Sequence, residues 1–287
     1  MGDAMSYQHI TRVHSEVLEA LARYKFLTTD MLLCLNIMTD RGNLNRELKR
    51  MREFKKPLIH TIGFGVHPKM GKLSSFHTLT LHGVEMLTNG MHYEEEDIKY
   101  LKGTASVFHR DYFHREAMIY FQMLLDDWCR VHGHQVVFFD TYFDPVGNSK
   151  KDKNLTSRTK ISIEGNRSLY ADGLFELYSL DGKPSYFAIE MYRGKDTGRV
   201  MQQLRSYVKA LAHGSINDKY GWKKAVRVLL IFEHQANLEA VLNQVSKDRL
   251  FENMRELFLF KTYEEIFAVE KMGFWVSGSK EVIKLIV

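Results

Sequence analysis

The 287-residue chain contains only two cysteines, Cys34 and Cys129, each inside an apolar, helix-like pattern. A disulfide framework is therefore not expected, and no thiol metal site can be assembled from these two residues alone. The expected setting is a reducing cytosol. No apolar run approaches the roughly 18 residues that a membrane-spanning helix needs. The opening residues, "MGDAMSYQHITRVHSE", lack the charged-then-apolar layout of a signal peptide. The expectation is a cytoplasmic protein with no membrane partner. Neither GxxxxGK[ST] nor GxGxxG occurs, which argues against an ATPase. Low-complexity segments and internal repeats are also missing.

A composition of 45% hydrophobic and 26% charged residues suits an ordinary globular protein with a sizeable core and one or two domains. The formal charge of +5 and a pI near 9.0 permit a nucleic-acid partner without requiring one. Where the basic residues lie matters more than their total.

The first third reads as three helices. In "TRVHSEVLEALARYKFLTTDMLLCLNI", Val13, Val17, Leu18, Leu21 and Ala22 share one helical face, and Thr28 or Thr29 can cap a second helix through Met31, Leu32 and Leu35. The third, "LNRELKRMREFKKPL", buries Leu44, Leu48 and Met51 and ends before Pro57. Arg46, Lys49 and Arg50 belong to the densest basic stretch of the chain, on the remaining surface of this helix. Two strand-like runs follow, "LIHTIGFG" and "SFHTLTLHG", around a tip that carries Lys69 and Lys72. Three helices and a hairpin with a basic tip form the layout of a winged helix-turn-helix, in which the third helix can enter the major groove. A merely solvated basic face would give the same charges.

The polar stretch "NGMHYEEEDIKYLKG" reads as a join between domains, giving a winged-helix domain over 1–90 and a second domain over 104–287. The second opens with a long amphipathic helix that turns Phe113, Ala117, Tyr120, Phe121, Leu124 and Trp128 inward. The strand "QVVFFDTYF" and a basic loop from Asp144 to about Asn166, with Lys150, Lys151 and Lys153, come next. Two strands joined by Asp181-Gly182 follow, then a helix, a buried strand, and further helix and strand segments. The expected fold is an α/β sandwich with a mixed sheet.

Each strand beside the Asp181-Gly182 turn carries a carboxylate where a hydrophobe is expected. Pairing through the turn brings Asp172 opposite Glu190, with Cβ atoms about 4.5–5.5 Å apart on one face. Two buried like charges are costly without something positive between them. Paired oxygen ligands suit Mg²⁺ or Mn²⁺, which can polarise a phosphoryl oxygen and generate hydroxide from bound water. A plain surface cluster with Arg193 or Lys195 is the alternative.

The order helix, strand, strand with Asp, strand with Glu, helix resembles the PD-(D/E)XK restriction-endonuclease-like core, with "YADGLFELY" and "FAIEMYRGKD" similar to its two metal-binding strands. From "RYKFLTTDMLL" through "FHRDYFHREAMIYF" to "AIEMYRGKDTGRVMQQLRSYVKAL", the chain further resembles the replication-relaxation family, which includes the MobC-type plasmid relaxases. The resemblance implies a DNA-nicking endonuclease of a plasmid or conjugative element, acting with Mg²⁺ or Mn²⁺ on an origin-like duplex. Other mobilization or replication proteins are implied as further partners. It makes Asp172 and Glu190 metal ligands, Glu116 an additional acid and Gln203 the helix glutamine. The motif lysine two residues after the glutamate is Tyr192 here, which leaves a tyrosine relay or nucleophile, Lys195 as a substitute cation, or an inactive fold. A non-catalytic replication initiator or regulator is the alternative, its endonuclease-like half serving dimerisation or partner contact.

Overall fold

The computed structural model describes residues 10–101, 111–146, 156–164 and 167–286. Its contacts divide the chain into two compact units, one ending at Tyr112 and the other beginning at Phe113. Among the described residues no helix is long and apolar enough to cross a membrane.

The N-terminal unit opens with α1 (Arg12–Tyr24), α2 (Thr29–Cys34) and α3 (Arg41–Glu53). Thr11, Thr28 and Asp40 cap them, each side chain accepting from the backbone N–H three residues on. The buried stripes match the helical spacing: Val17, Leu18, Leu21 and Ala22 on α1, and Leu44, Leu48 and Met51 on α3. His14 is buried and bonds Glu47 at 2.9 Å, tying α1 to α3. α3 stops at Glu53, short of Pro57. Strand β1 (Ile59–Ile62), the short pair β2 (Val66–His67) and β3 (Gly71–Lys72), and β4 (Phe76–Leu79) then form a hairpin, with Ile59 opposite Leu79 and Ile62 opposite Phe76. Leu27, in the α1–α2 connection, bridges antiparallel to His77 of β4. α4 (Leu81–Glu85) follows, with Gly83 directly against the Leu58 carbonyl.

The C-terminal unit is built on a seven-stranded mixed sheet. α5 (Tyr112–His132) leads into β5 (Gln135–Thr141), and the short strands β6 (Pro145–Val146), β7 (Thr156–Ser157), β8 (Lys160–Ile163) and β9 (Arg167–Tyr170) come before β10 (Gly173–Tyr178). The chain continues through β11 (Pro184–Tyr192), α6 (Thr197–Ala212), α7 (Ser215–Tyr220), β12 (Val226–Phe232), α8 (Gln235–Lys247), β13 (Phe258–Thr262), α9 (Tyr263–Ile266), β14 (Phe274–Ser277) and β15 (Val282–Lys284). The sheet order is β15-β14-β13-β12-β11-β10-β5, with β5, β10 and β11 an antiparallel meander and β11, β12 and β13 parallel. Parallel neighbours need a crossover, and α6 with α7 and then α8 supply the two that occur here.

Strand alternation divides the core into two layers. Leu174, Tyr186, Ala188, Val228 and Leu230 pack under α6 and α8, while Phe175, Phe187, Ile189, Met191 and Leu229 pack under α5. The buried stripe of α5 is Ala117, Met118, Phe121, Leu125 and Trp128. Phe113, Tyr120 and Leu124, expected inward, are only half-buried, because the helix is rotated toward Met118 and Leu125.

Two further readings are refined. "RSLYADGLFELY" is not one continuous strand: β9 pairs with β8 in a separate hairpin, and β10 pairs with β11 and β5. Asp172 sits at the break. The described ends of the Asp144–Asn166 segment are also paired, β6 with β7 and β8 with β9.

Candidate active site

Register around the Asp181-Gly182 turn sets the geometry. Gly182 has φ of 76°, and the turn closes with Ser179 N–H on the Lys183 carbonyl at 3.0 Å. A left-handed residue costs glycine nothing here. From this turn the ladder runs Tyr178 opposite Pro184, Leu174 opposite Ala188 and Gly173 opposite Ile189, so the next step places Asp172 opposite Glu190. Their carboxyl groups lie within hydrogen-bonding reach of one another.

Each carboxylate has its own supports. Asp172 Oδ2 accepts the Met191 N–H at 2.8 Å, and Oδ1 lies 2.9 Å from His114 Nε2 of α5. Glu190 is only 2% exposed and accepts the Tyr207 hydroxyl at Oε1. Gln203, one turn earlier on α6, also favours the charged form of Glu190 through its side chain. Burial first, and then the charge of Asp172, push Glu190 well above the usual carboxylate range. The Asp172 side chain, 17% exposed, is the more open edge of the pair.

Tyr192 lies on the same face of β11 as Glu190 and packs on Phe232, ring centroids 5.0 Å apart. Its hydroxyl is buried and meets no hydrogen-bond partner among the described residues. Burial, then the charges of Glu190 and Asp172, raise the phenol well above its ordinary range, while Arg199 acts the other way. Arg199, Gln203 and Tyr207 are spaced by four along α6, so one face of that helix lies over Tyr192 and Glu190. Asp196 caps the helix, accepting from the Arg199 N–H at 2.9 Å.

The structure therefore brings together Asp172, Glu190, Tyr192 and Gln203. Lys195 is exposed in the β11–α6 connection, and among the described residues no ion pair joins it to either carboxylate. Glu116 is half-buried on α5, two residues after His114, and its charge is felt by Tyr263 of α9. Among the described residues no group of three or more His, Cys, Asp or Glu is arranged to hold a metal ion. Two carboxylates alone suit an ion that keeps much of its own water.

The resemblance places a histidine near the start of α5, where His114 sits, but its pairing with Asp172 and the contact of Tyr207 with Glu190 were not legible. His114 is far from Asp172 in sequence, and Tyr207 fits the apolar stripe of α6, so its hydroxyl is silent in a hydrophobic pattern. The one signal available was its spacing of four from Gln203.

Of the basic residues expected to meet nucleic acid, Arg46, Lys49, Arg50, Lys69 and Lys72 are all exposed. Lys49 pairs with Glu53 at 3.7 Å and Arg50 with Glu47 at 2.6 Å, while Arg46 donates to Asn43. Such exposed pairs are weak and yield readily to a phosphate. Lys150, Lys151 and Lys153 lie outside the described residues. Arg158, from the same basic segment, lies 3.5 Å from Asp140, whose other oxygen accepts the Tyr220 hydroxyl at 3.1 Å.

No protein-family model matches the chain, and no curated protein matches it.

Proposed function

We propose that the protein is a DNA-binding, metal-dependent endonuclease of the relaxase-like kind, nicking one strand of a plasmid or conjugative origin. The observation that carries this reading is the Asp172–Glu190 pair, facing across β10 and β11 and backed by Gln203 and Tyr207 from α6. The order α5, β5, β10, β11, α6, β12, with Asp172 immediately before β10 and Glu190 on β11, is the order expected of a PD-(D/E)XK core. In the N-terminal unit, three helices, a bridge from the α1–α2 connection to β4, and a hairpin with lysines at its tip support a winged helix-turn-helix.

The donor set fits Mg²⁺ or Mn²⁺. Two hard carboxylate oxygens sit side by side, and a divalent ion relieves their repulsion where a proton otherwise must. Asp172 and Glu190 would hold the ion, with Glu116 as a candidate further acid. A bound ion would supply Lewis-acid activation of the phosphate and of water. The chain's own residues do the rest. His114 and the Met191 N–H orient Asp172, and Tyr207 and Gln203 fix the Glu190 carboxyl. Arg199, whose charge reaches Tyr192, is a candidate for the cation that the motif otherwise takes from its lysine.

The test is a supercoiled plasmid carrying the element's own origin, incubated with protein and Mn²⁺. Asp172→Asn and Glu190→Gln are each expected to lower nicking by roughly 10²–10⁴-fold. Undiminished nicking by both variants would overturn the proposal. One observation favours a second reading, a catalytically silent initiator or regulator: Tyr192 replaces the lysine and its hydroxyl is buried. Origin binding without nicking in any sample, wild type included, would select that reading.

A further inference from the structure

A cavity of about 440 Å³ opens in the N-terminal unit between α2, α3, β1 and the segment leading into β4. We infer that it is a seat for a phosphate oxyanion, with Arg52 as its cation and Asn45, Ser74 and Ser75 as its neutral donors.

The lining is polar throughout, so an apolar ligand gains nothing there. No Phe, Tyr or Trp lines the cavity, and its one aromatic ring, the His77 imidazole, is only 4% exposed, so a nucleobase has little on which to stack. Charge then separates the remaining ligand classes. Asp30 is already paired with Arg41. Arg52 donates to a neutral acceptor, Thr61 Oγ1, at 3.1 Å, and among the described residues no carboxylate pairs with it. One guanidinium charge therefore faces the cavity uncompensated.

A chain of hydrogen bonds fixes which groups are left to donate. Thr61 accepts from Arg52 at 3.1 Å and lies 2.8 Å from Nδ1 of His77, to which it donates because Thr29, on the far side of the ring, has its proton on Asn45 Oδ1 and can only accept from Nε2. That ring then carries its proton on Nε2, 3.4 Å from Thr29 Oγ1, and Thr29 donates in turn to Asn45 Oδ1 at 3.2 Å. Asn45 Oδ1 thus already accepts one hydrogen bond, and its amide N–H groups donate to none of the described residues. The hydroxyls of Ser74 and Ser75 bond no other described residue. His77, 4% exposed, is the fixed centre of the chain. Burial and the charge of Arg52 lower it to about 4, so it adds no charge of its own at neutral pH.

The acceptors of the cavity are thus largely satisfied by the protein while its donors converge unspent, the pattern that recognises an oxyanion. Arg41, Asn45 and Arg52 lie within about 40° of one another around α3 at about 100° per residue, beside the buried stripe. Arg46 and Arg50 point further round the helix. The phosphate could belong to a nucleic-acid backbone, which rests on the reading above, or to a free phosphomonoester, which does not.

The experiment uses the full chain in two arms: titration with inorganic phosphate followed by amide NMR shifts, and anisotropy of a labelled DNA duplex. Each arm compares wild type with Arg52→Gln and with the double variant Ser74→Ala/Ser75→Ala, whose lost hydroxyls support nothing else. Arg52→Gln is expected to weaken binding about tenfold, and the serine variant a few-fold, in whichever arm shows binding. Duplex binding that depends on Arg52 makes the cavity a backbone seat. Phosphate binding that depends on Arg52, with no duplex bound, makes the ligand a free phosphoryl compound and removes the DNA-docking reading instead. Duplex binding unchanged in both variants, with no Arg52-dependent shifts from phosphate, overturns the inference and leaves DNA docking intact.

Discussion

The Tyr207 hydroxyl donates to Oε1 of Glu190 across the contact of α6 with β11, and both residues are buried. Removing that donor leaves a carboxyl oxygen short of a partner where water does not reach. Tyr207→Phe should destabilise the protein by about 1–3 kcal/mol. Urea unfolding monitored by far-UV circular dichroism would measure it. A loss under about 0.5 kcal/mol would mean that Gln203 supports Glu190 unaided.

Facing carboxylates also make opposite predictions with and without a divalent ion. Without metal, Glu190→Gln removes an acid whose ionisation burial and Asp172 oppose, at nearly constant shape, so its melting temperature should equal or exceed that of wild type. With Mn²⁺ at about 100 times its dissociation constant, wild type should gain about 2.7 kcal/mol and the variant should not. Differential scanning calorimetry with and without Mn²⁺ reads both halves, and an equal gain in the two proteins would place the ion elsewhere.

His77 predicts a pH dependence of the N-terminal unit. Its folded pKa of about 4 lies below the 6.5 of the unfolded chain, so the unfolded state binds the proton more tightly. The contribution is therefore full above pH 6.5 and is lost progressively as pH falls toward 4. It amounts to about 3 kcal/mol. Denaturant midpoints should fall through this window, and His77→Gln should flatten the curve.

Gly83 has no room for a side chain. A Cβ there would collide with the Leu58 carbonyl oxygen, which already accepts the Thr80 N–H at 3.1 Å. Gly83→Ala should cost about 1–3 kcal/mol and lower the melting temperature of the unit by several degrees. Gly194→Ala, which meets open space, serves as the control and should melt with wild type.

The part of the site most readable in advance was the register of Asp172 and Glu190. A three-residue connection, Leu180 to Gly182, with glycine at its left-handed position fixes pairing by local chemistry, and the ladder from Tyr178 to Gly173 follows it. The buried stripes of α1 and α3 were readable for a similar reason, since periodicity reports which face is covered. Strands β14 and β15 and helix α7 were not anticipated. They are short, and no strong apolar period marks them. The break at Asp172 was hidden because β9 and β10 share one strand-like pattern and differ only in their partners. The pairings of His114 with Asp172 and of Tyr207 with Glu190 escaped because a contact between distant segments leaves no trace in spacing along one of them.

The corner at Ser179–Lys183 has a consequence beyond its own neighbourhood. Its residue count sets the phase of β11 against β10, and a single inserted residue would slip the ladder by one step. Glu190 would then rotate into the greasy layer beneath α5, and Ile189 would take its place beside α6. Charges in this solvent-facing corner are free to drift over evolutionary time, whereas its length is as constrained as the acidic pair it aligns.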